Sequence, residues 1–238
     1  MDKNVAIIGA SGAIGNAFVE HYSNDQSVKN VYAFSRKKQT YKNQKIQSFE
    51  LDIENQNSIQ DSAEKIKDKS LNHIIVATGI LHSEHFSPEK SIKDINYQTM
   101  EKVIRVNTIG PTLIGRYFIP LLSKDNRSVL VFLSARVGSI SDNKLGGWYS
   151  YRASKTALNQ IIKNFSIELR RTNPKAIVLG LQPGTVDSKL SEPFKKNVPS
   201  EKLFTPEKSR ELLSNVIESA SVKDSGNLLA YDGETISP

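Results

Sequence analysis

The stretch Val5-Ala-Ile-Ile-Gly9-Ala-Ser-Gly12-Ala-Ile-Gly15 decides the fold. Val5 to Gly9 is a short apolar run ending in glycine, which reads as a buried strand, and Ala13 to Tyr22 then has helical character. Three glycines punctuate the turn between them. Glycine lets a backbone turn tightly and approach a phosphate, and a helix start offers unpaired N–H groups at the positive end of its dipole. A glycine triplet alone is weak, but between a strand and a helix it gains weight as a phosphate-binding turn. Gly9, Ser11, Gly12, Ile14 and Gly15 are its candidate contacts.

Outward from this turn, the same alternation continues. Strands are expected at Val31 to Phe34, Ile46 to Leu51, Ile74 to Ala77, Val129 to Leu133, Ala176 to Leu181 and Leu228 to Tyr231. Helices are expected at Ser58 to Lys69, at Ile95 to Leu122 with an interruption near Gly110 and Pro111, and at Tyr149 to Arg171. A last helix runs to Ser219, with Thr205 as its cap and Pro206 in its first position. Strand–helix alternation along the chain predicts an α/β fold of one domain over residues 1–238, a Rossmann-like doubly wound parallel sheet with helices on both faces. Thr185 to Phe204, with Pro193 and Pro199, reads as a substrate loop or lid.

Composition narrows the function classes. The chain has 238 residues, no cysteine and a formal net charge of +7. Disulfides, thiolate metal sites and a cysteine nucleophile are excluded, and a cytoplasmic setting is expected. Lys3 followed by Val5 to Val19 imitates a signal peptide, but regularly spaced glycines and the following Glu20, His21 and Tyr22 argue against one. No run of about 18 apolar residues suggests a membrane span. The basic residues are scattered without aromatic interleaving, so no nucleic-acid partner is expected. His82-Ser-Glu-His85 lacks a third ligand, so no metal is expected.

The end of the second strand separates the two nicotinamide dinucleotides. An acid there accepts the ribose hydroxyls of NAD, whereas an arginine suits the 2′-phosphate of NADP. The sequence has Ser35-Arg36-Lys37-Lys38, so NADP(H) is preferred, with NAD(H) as the alternative.

Tyr151-Arg-Ala-Ser-Lys155 puts a phenol and an ammonium at i and i+4, on one helix face. Tyr41 and Lys45 share this spacing, so spacing alone selects nothing. Location does: Tyr151 and Lys155 open the helix after the fifth strand, where a doubly wound sheet presents its ligand crevice.

With these motifs the chain resembles the short-chain dehydrogenase/reductase family over nearly its full length. Ser134 to Asn143 followed by Gly146-Gly-Trp-Tyr-Ser-Tyr-Arg-Ala-Ser-Lys155 is similar to the C-factor-like and sniffer-like carbonyl reductase branch. The resemblance implies that Tyr151 is the general acid/base. It implies that Lys155 lowers the phenol's pKa and holds the nicotinamide ribose, and that Asn107 orders a relay water. It implies that Asp52, followed by Ile53, contacts the adenine amino group, and that Gly79, Pro183 and Gly184 border the cofactor. Ala13 stands where the family has a glycine, Ile8 where it has a threonine, and Val76-Ala77-Thr78-Gly79 where it has Asn-Asn-Ala-Gly. The usual catalytic serine falls at Ala135. Ser134 and Ser139 are the candidates to take its role, and a site with no serine is the third option.

The implied activity is hydride transfer between NADP(H) and a small or medium carbonyl or alcohol compound. Two rivals stand beside it: an NADP(H)-binding regulator with little catalysis, and a dehydratase or epimerase using the same Tyr/Lys pair. A homodimer or homotetramer is open, because the helices at Ile95 to Leu122 and Tyr149 to Arg171 could pair with a second copy or be buried by their own sheet.

Overall fold

The computed structural model describes residues 2–238, without the side chain at 197. Eight strands form one sheet in the order β10-β9-β6-β5-β4-β1-β2-β3. The strands are β1 (Lys3–Ile8), β2 (Val28–Ser35), β3 (Ile46–Glu50), β4 (His73–Val76), β5 (Ser128–Leu133), β6 (Ala176–Gln182), β9 (Leu228–Ala230) and β10 (Thr235–Ile236). All neighbours run parallel except the antiparallel β9–β10 pair. That last strand is a difference from the sequence reading. Two residues on a chain end carry no periodicity by which to find them.

Helices cover both faces. Phe18, Val19 and Tyr22 of α1 (Ala13–Asn24) and Leu213, Val216 and Ile217 of α6 (Pro206–Ser219) pack on one face. On the other lie Ile59 of α2 (Gln56–Glu64), Ile114 and Phe118 of α4 (Gly110–Phe118) and Leu158, Ile162 and Leu169 of α5 (Tyr149–Thr172). The Thr205 hydroxyl caps α6 by accepting from the Lys208 N–H at 3.1 Å. Helix α2 ends at Glu64, five residues before the expected Lys69; Asn55 caps its start through the N–H groups of Asn57 and Ser58. Among the described residues no helix is long and apolar enough to cross a membrane.

The long helix expected at Ile95 to Leu122 is divided. It comprises α3 (Tyr97–Ile104), a wide π-helical turn over Arg105–Ile109, and α4. The Gly110 N–H reaches back five residues to the Arg105 carbonyl. Pro111 has no N–H, so the carbonyl of Asn107 has no donor four residues on. Single π turns inside helices recur at functional sites.

The segment after β6 is pinned at both ends. β7 (Thr185–Val186) pairs in parallel with β8 (Leu203–Phe204), and the Asp187 N–H bonds the Phe204 carbonyl at 2.8 Å. What reads as a loop is therefore closed at its base, with short 3₁₀ turns at Glu192–Asn197 and Ser200–Lys202.

Gly110 lets the π turn dock on the loop after β3. A Cβ there would overlap the Ile53 side chain and sit 2.7 Å from its carbonyl oxygen. Gly110→Ala should destabilise the protein by about 1–3 kcal/mol through overpacking, measured by urea unfolding. An unchanged midpoint would show that this contact is not tight.

Candidate active site

In a parallel sheet with crossovers to both faces, the crevice opens at the carboxyl ends of the strands where chain order reverses. Here that point lies between β1 and β4. A cleft of about 1010 Å³ occupies it.

At one end, Gly9, Ser11, Gly12 and Ile14 line the cleft. Gly12 is the cap residue of α1 and no side chain caps that helix, so the first-turn N–H groups can receive an anion. Gly15 lies behind the lining, and a Cβ on it would strike the Gly9 carbonyl. Arg36 lines the cleft from the end of β2 and is exposed. Ile53 lines it too, as does Glu54, whose carboxylate receives the Lys102 ammonium at 2.6 Å. Asp52 lies off the lining, and its carboxylate accepts the Glu54 N–H at 3.0 Å.

In the centre, Gly79, Pro183 and Gly184 border the cleft with Tyr151 and Lys155. A Cβ on Gly79 would lie 3.5 Å from both the Asn107 side-chain oxygen and the Lys155 Nζ. Gly79 thus lies between the π turn and α5. Asn107 is fully buried behind it. Its amide accepts the Ile80 N–H at 2.7 Å, donates to the Ile80 carbonyl at 2.9 Å and donates to Ser154 Oγ at 3.0 Å. The Lys155 Nζ donates to the Leu133 carbonyl at 2.9 Å and lies 5.7 Å from the centre of the Tyr151 ring.

Ala135 lines the cleft in an apolar cluster with Tyr151, Leu81, Val137, Trp148 and Phe194. Ser134 also borders it, but its hydroxyl donates to Asn159 Oδ1 at 2.6 Å. Ser139 is absent from the lining. It ends the 3₁₀ turn at Arg136–Gly138, and its hydroxyl accepts the Asp142 N–H at 3.1 Å.

The residues present fit an extended, anionic dinucleotide. Gly9 and Gly15 leave no room for a side chain, and α1 starts without a cap. Two polar atoms on the cleft wall, Thr78 Oγ1 and Gln182 Oε1, are buried without a partner among the described residues. Orphaned buried polar atoms are costly and call for a ligand or water.

Sequence reasoning did not find Thr78, Gln182, Phe194 or Glu89, whose carboxylate meets the start of α5. Phe194 sits in an irregular segment, and Glu89 sits in a polar loop where an acid is expected to face water. It is instead 2% exposed. His82 does reach the site, where its Nε2 lies 3.0 Å from the Lys189 carbonyl and ties the loop after β4 to the segment after β6. Among the described residues no three metal-ligating side chains gather.

Burial drives the two central groups in opposite directions. It pushes the Tyr151 phenol up to about 12 and pulls the Lys155 ammonium down to about 8. For Lys155, the unfolded chain holds more protons than the folded chain between pH 8 and 10.5. Stability therefore rises with pH across that window. Relative to Lys155→Met, the parent should gain on the order of 3 kcal/mol between these limits. Parallel urea titrations at both pH values check this, and equal gains in the two proteins would refute it.

Comparison with known proteins agrees with this geometry. Residues 3–199 match the family described as short chain dehydrogenase. The chain is 30% identical over 186 residues to 1-hydroxy-2-glutathionyl-2-methyl-3-butene dehydrogenase of Rhodococcus sp. (strain AD45), covering 77% of this chain and 76% of that one. It is 29% identical over 147 residues to C-signal of Myxococcus xanthus, covering 61% of this chain and 82% of that one. It superposes on the NADPH-bound carbonyl reductase from chicken fatty liver with a TM-score of 0.85 at 25% identity, covering 100% of this chain and 99% of that one. A glycine-turn cleft at the switch point, a Tyr/Lys pair on α5 and a family match over most of the chain lead to one conclusion: this protein belongs to the short-chain dehydrogenase family of oxidoreductases.

Proposed function

We propose that the protein is an NADP(H)-dependent reductase of small or medium carbonyl compounds, with Tyr151 as proton donor. The observation that carries this reading is the meeting of Tyr151, Lys155 and Gly79 on one cleft with the uncapped start of α1 and with Arg36. The chicken relative, whose structure contains NADPH, supports the cofactor.

Gly9, Gly12 and the first-turn N–H groups of α1 would hold the pyrophosphate of NADP(H). Arg36 would meet the 2′-phosphate with a charged, planar donor set. Gly15 keeps the turn compact, and Asp52, which accepts the Glu54 N–H, would leave its other oxygen for the adenine end beside Ile53. Pro183 and Gly184 would flank the nicotinamide. Bound NADPH supplies the hydride.

Tyr151 gives its phenolic proton to the carbonyl oxygen as charge develops there. Burial raises its pKa, so the phenolate it leaves behind needs a neighbouring cation. Lys155, beside it, stabilises the phenolate left behind and binds the ribose. Asn107 supports this pair from the π turn, where it would order a relay water. No serine takes a role. The Ser134 hydroxyl is committed to Asn159, and the Ser139 hydroxyl accepts the Asp142 N–H off the cleft lining.

Two experiments test this. Tyr151→Phe should bind NADPH as the parent does yet lose carbonyl reduction by at least about 100-fold, followed by NADPH absorbance with a panel of aldehydes and ketones. Retained turnover would refute the proton-donor role. The parent should bind NADPH more tightly than NADH, and Arg36→Ala should narrow the difference by about tenfold, or 1.4 kcal/mol. A fluorescence titration giving equal affinities for the two cofactors would refute the preference.

A further inference from the structure

At the start of α5 lies a buried carboxylate that the proposed chemistry leaves unused. Glu89, in the connection between β4 and α3, is 2% exposed. Its Oε1 accepts the Ser150 hydroxyl, and its Oε2 accepts the Ser150 N–H at 3.2 Å. Its backbone carbonyl accepts the Trp148 N–H at 2.5 Å. Ser150 is the second residue of α5 and Tyr151 the third. A carboxylate at that place satisfies an unpaired N–H and opposes the positive end of the helix. It comes from a segment 61 residues away, so it also ties the loop after β4 to the helix that carries Tyr151.

The residue just before α5 has an unusual conformation. Trp148 has φ 50° and ψ 43°, and no other described non-glycine residue has a positive φ. A bulky residue rarely takes this left-handed form unless its surroundings impose it. The result is an indole set edge-on to the Tyr151 ring, 6.1 Å between centres, and 5.0 Å from the Phe194 ring. Trp148 and Phe194 both line the cleft.

We propose that Glu89 is a positioning residue that locks Trp148 in its left-handed turn, making the indole the specificity-determining wall against which a carbonyl compound with an apolar or aromatic body is set before the Tyr151 phenol. This inference rests on the reductase reading. The carboxylate, clamped on Ser150, holds the Glu89 main-chain carbonyl against the Trp148 N–H. Without that clamp the Trp148 turn relaxes, the indole leaves Tyr151, and substrate is held less well for proton transfer. The cofactor turn at Gly9 to Gly15 is untouched.

Trp148 is the sole tryptophan of the chain, so its emission reports this turn directly. Glu89→Gln and Ser150→Ala are compared with the parent, the second being the milder change should the first fail to fold. In either variant the emission should move to longer wavelength with lower anisotropy. In either, kcat should fall by about 10- to 100-fold with benzaldehyde, KM for benzaldehyde should rise, and the NADPH dissociation constant should stay within about twofold. Unchanged emission and kcat/KM in a folded variant would overturn the proposal. So would parallel losses of NADPH affinity, thermal stability and kcat, which mark a general structural role. If the parent reduces no carbonyl compound, the reductase reading fails by itself, and the emission comparison still decides whether Glu89 sets the Trp148 turn.

Discussion

Gly9 sits so close to the end of β4 that a side-chain carbon on it would lie 2.7 Å from the Ala77 oxygen, and its φ of +91° suits glycine alone. Around it the N–H groups of Gly9 and Ala10 both donate to the Phe34 carbonyl at 2.9 Å. Gly15 presses on the Gly9 carbonyl from the first turn of α1. The carboxyl ends of β1, β2 and β4 and the start of α1 are thereby fixed at one point. That point is the switch in strand order, so the crevice, its anion-receiving helix end and its distance from α5 follow from this one close approach.

The opposite wall depends on how α5 is held. Its first turn takes strain at Trp148, about 1–2 kcal/mol for a left-handed residue with a side chain. A cap bond of the kind Glu89 makes contributes about 0.5–2 kcal/mol, enough to offset it. One turn later, Ser154 accepts from Asn107 and donates to the Tyr151 carbonyl at 2.7 Å. The Thr108 hydroxyl donates to the Ser154 carbonyl at 2.8 Å. The π turn is what lets neighbouring residues Asn107 and Thr108 both reach α5. Burial at this junction raises the Tyr151 pKa and lowers that of Lys155.

The main strands and helices were legible because each combines periodicity with punctuation. Glycines follow β1, Thr205 and Pro206 open α6, and Asn173 with Pro174 closes α5. Position in the alternation also separated Tyr151/Lys155 from Tyr41/Lys45. What the sequence concealed falls into two kinds. β7, β8 and β10 are two residues each, too short for a period to register. The other kind depends on long-range burial. Glu89 looks like any loop acid until α5 folds over it. The interruption near Gly110 and Pro111 was visible, but its form was not, because whether a proline kinks a helix or widens a turn depends on what packs against it.

The net charge of +7 takes on meaning only with this geometry. Arg36, Lys102, Arg136, Lys155 and Lys189 line the cleft, whereas Glu54 is the acid among its lining residues. Glu54 is spent on Lys102, and Arg136 leans toward Asp142 at 3.6 Å. Arg36, Lys155 and Lys189 have no acidic partner of this kind among the described residues. Several exposed lysines are matched instead, Lys67 with Glu64 and Lys208 with Glu211, and such surface pairs contribute little. Three unpaired cations thus face a cleft whose low-dielectric walls focus their field, and an anion approaching it is drawn in faster at low ionic strength than at high.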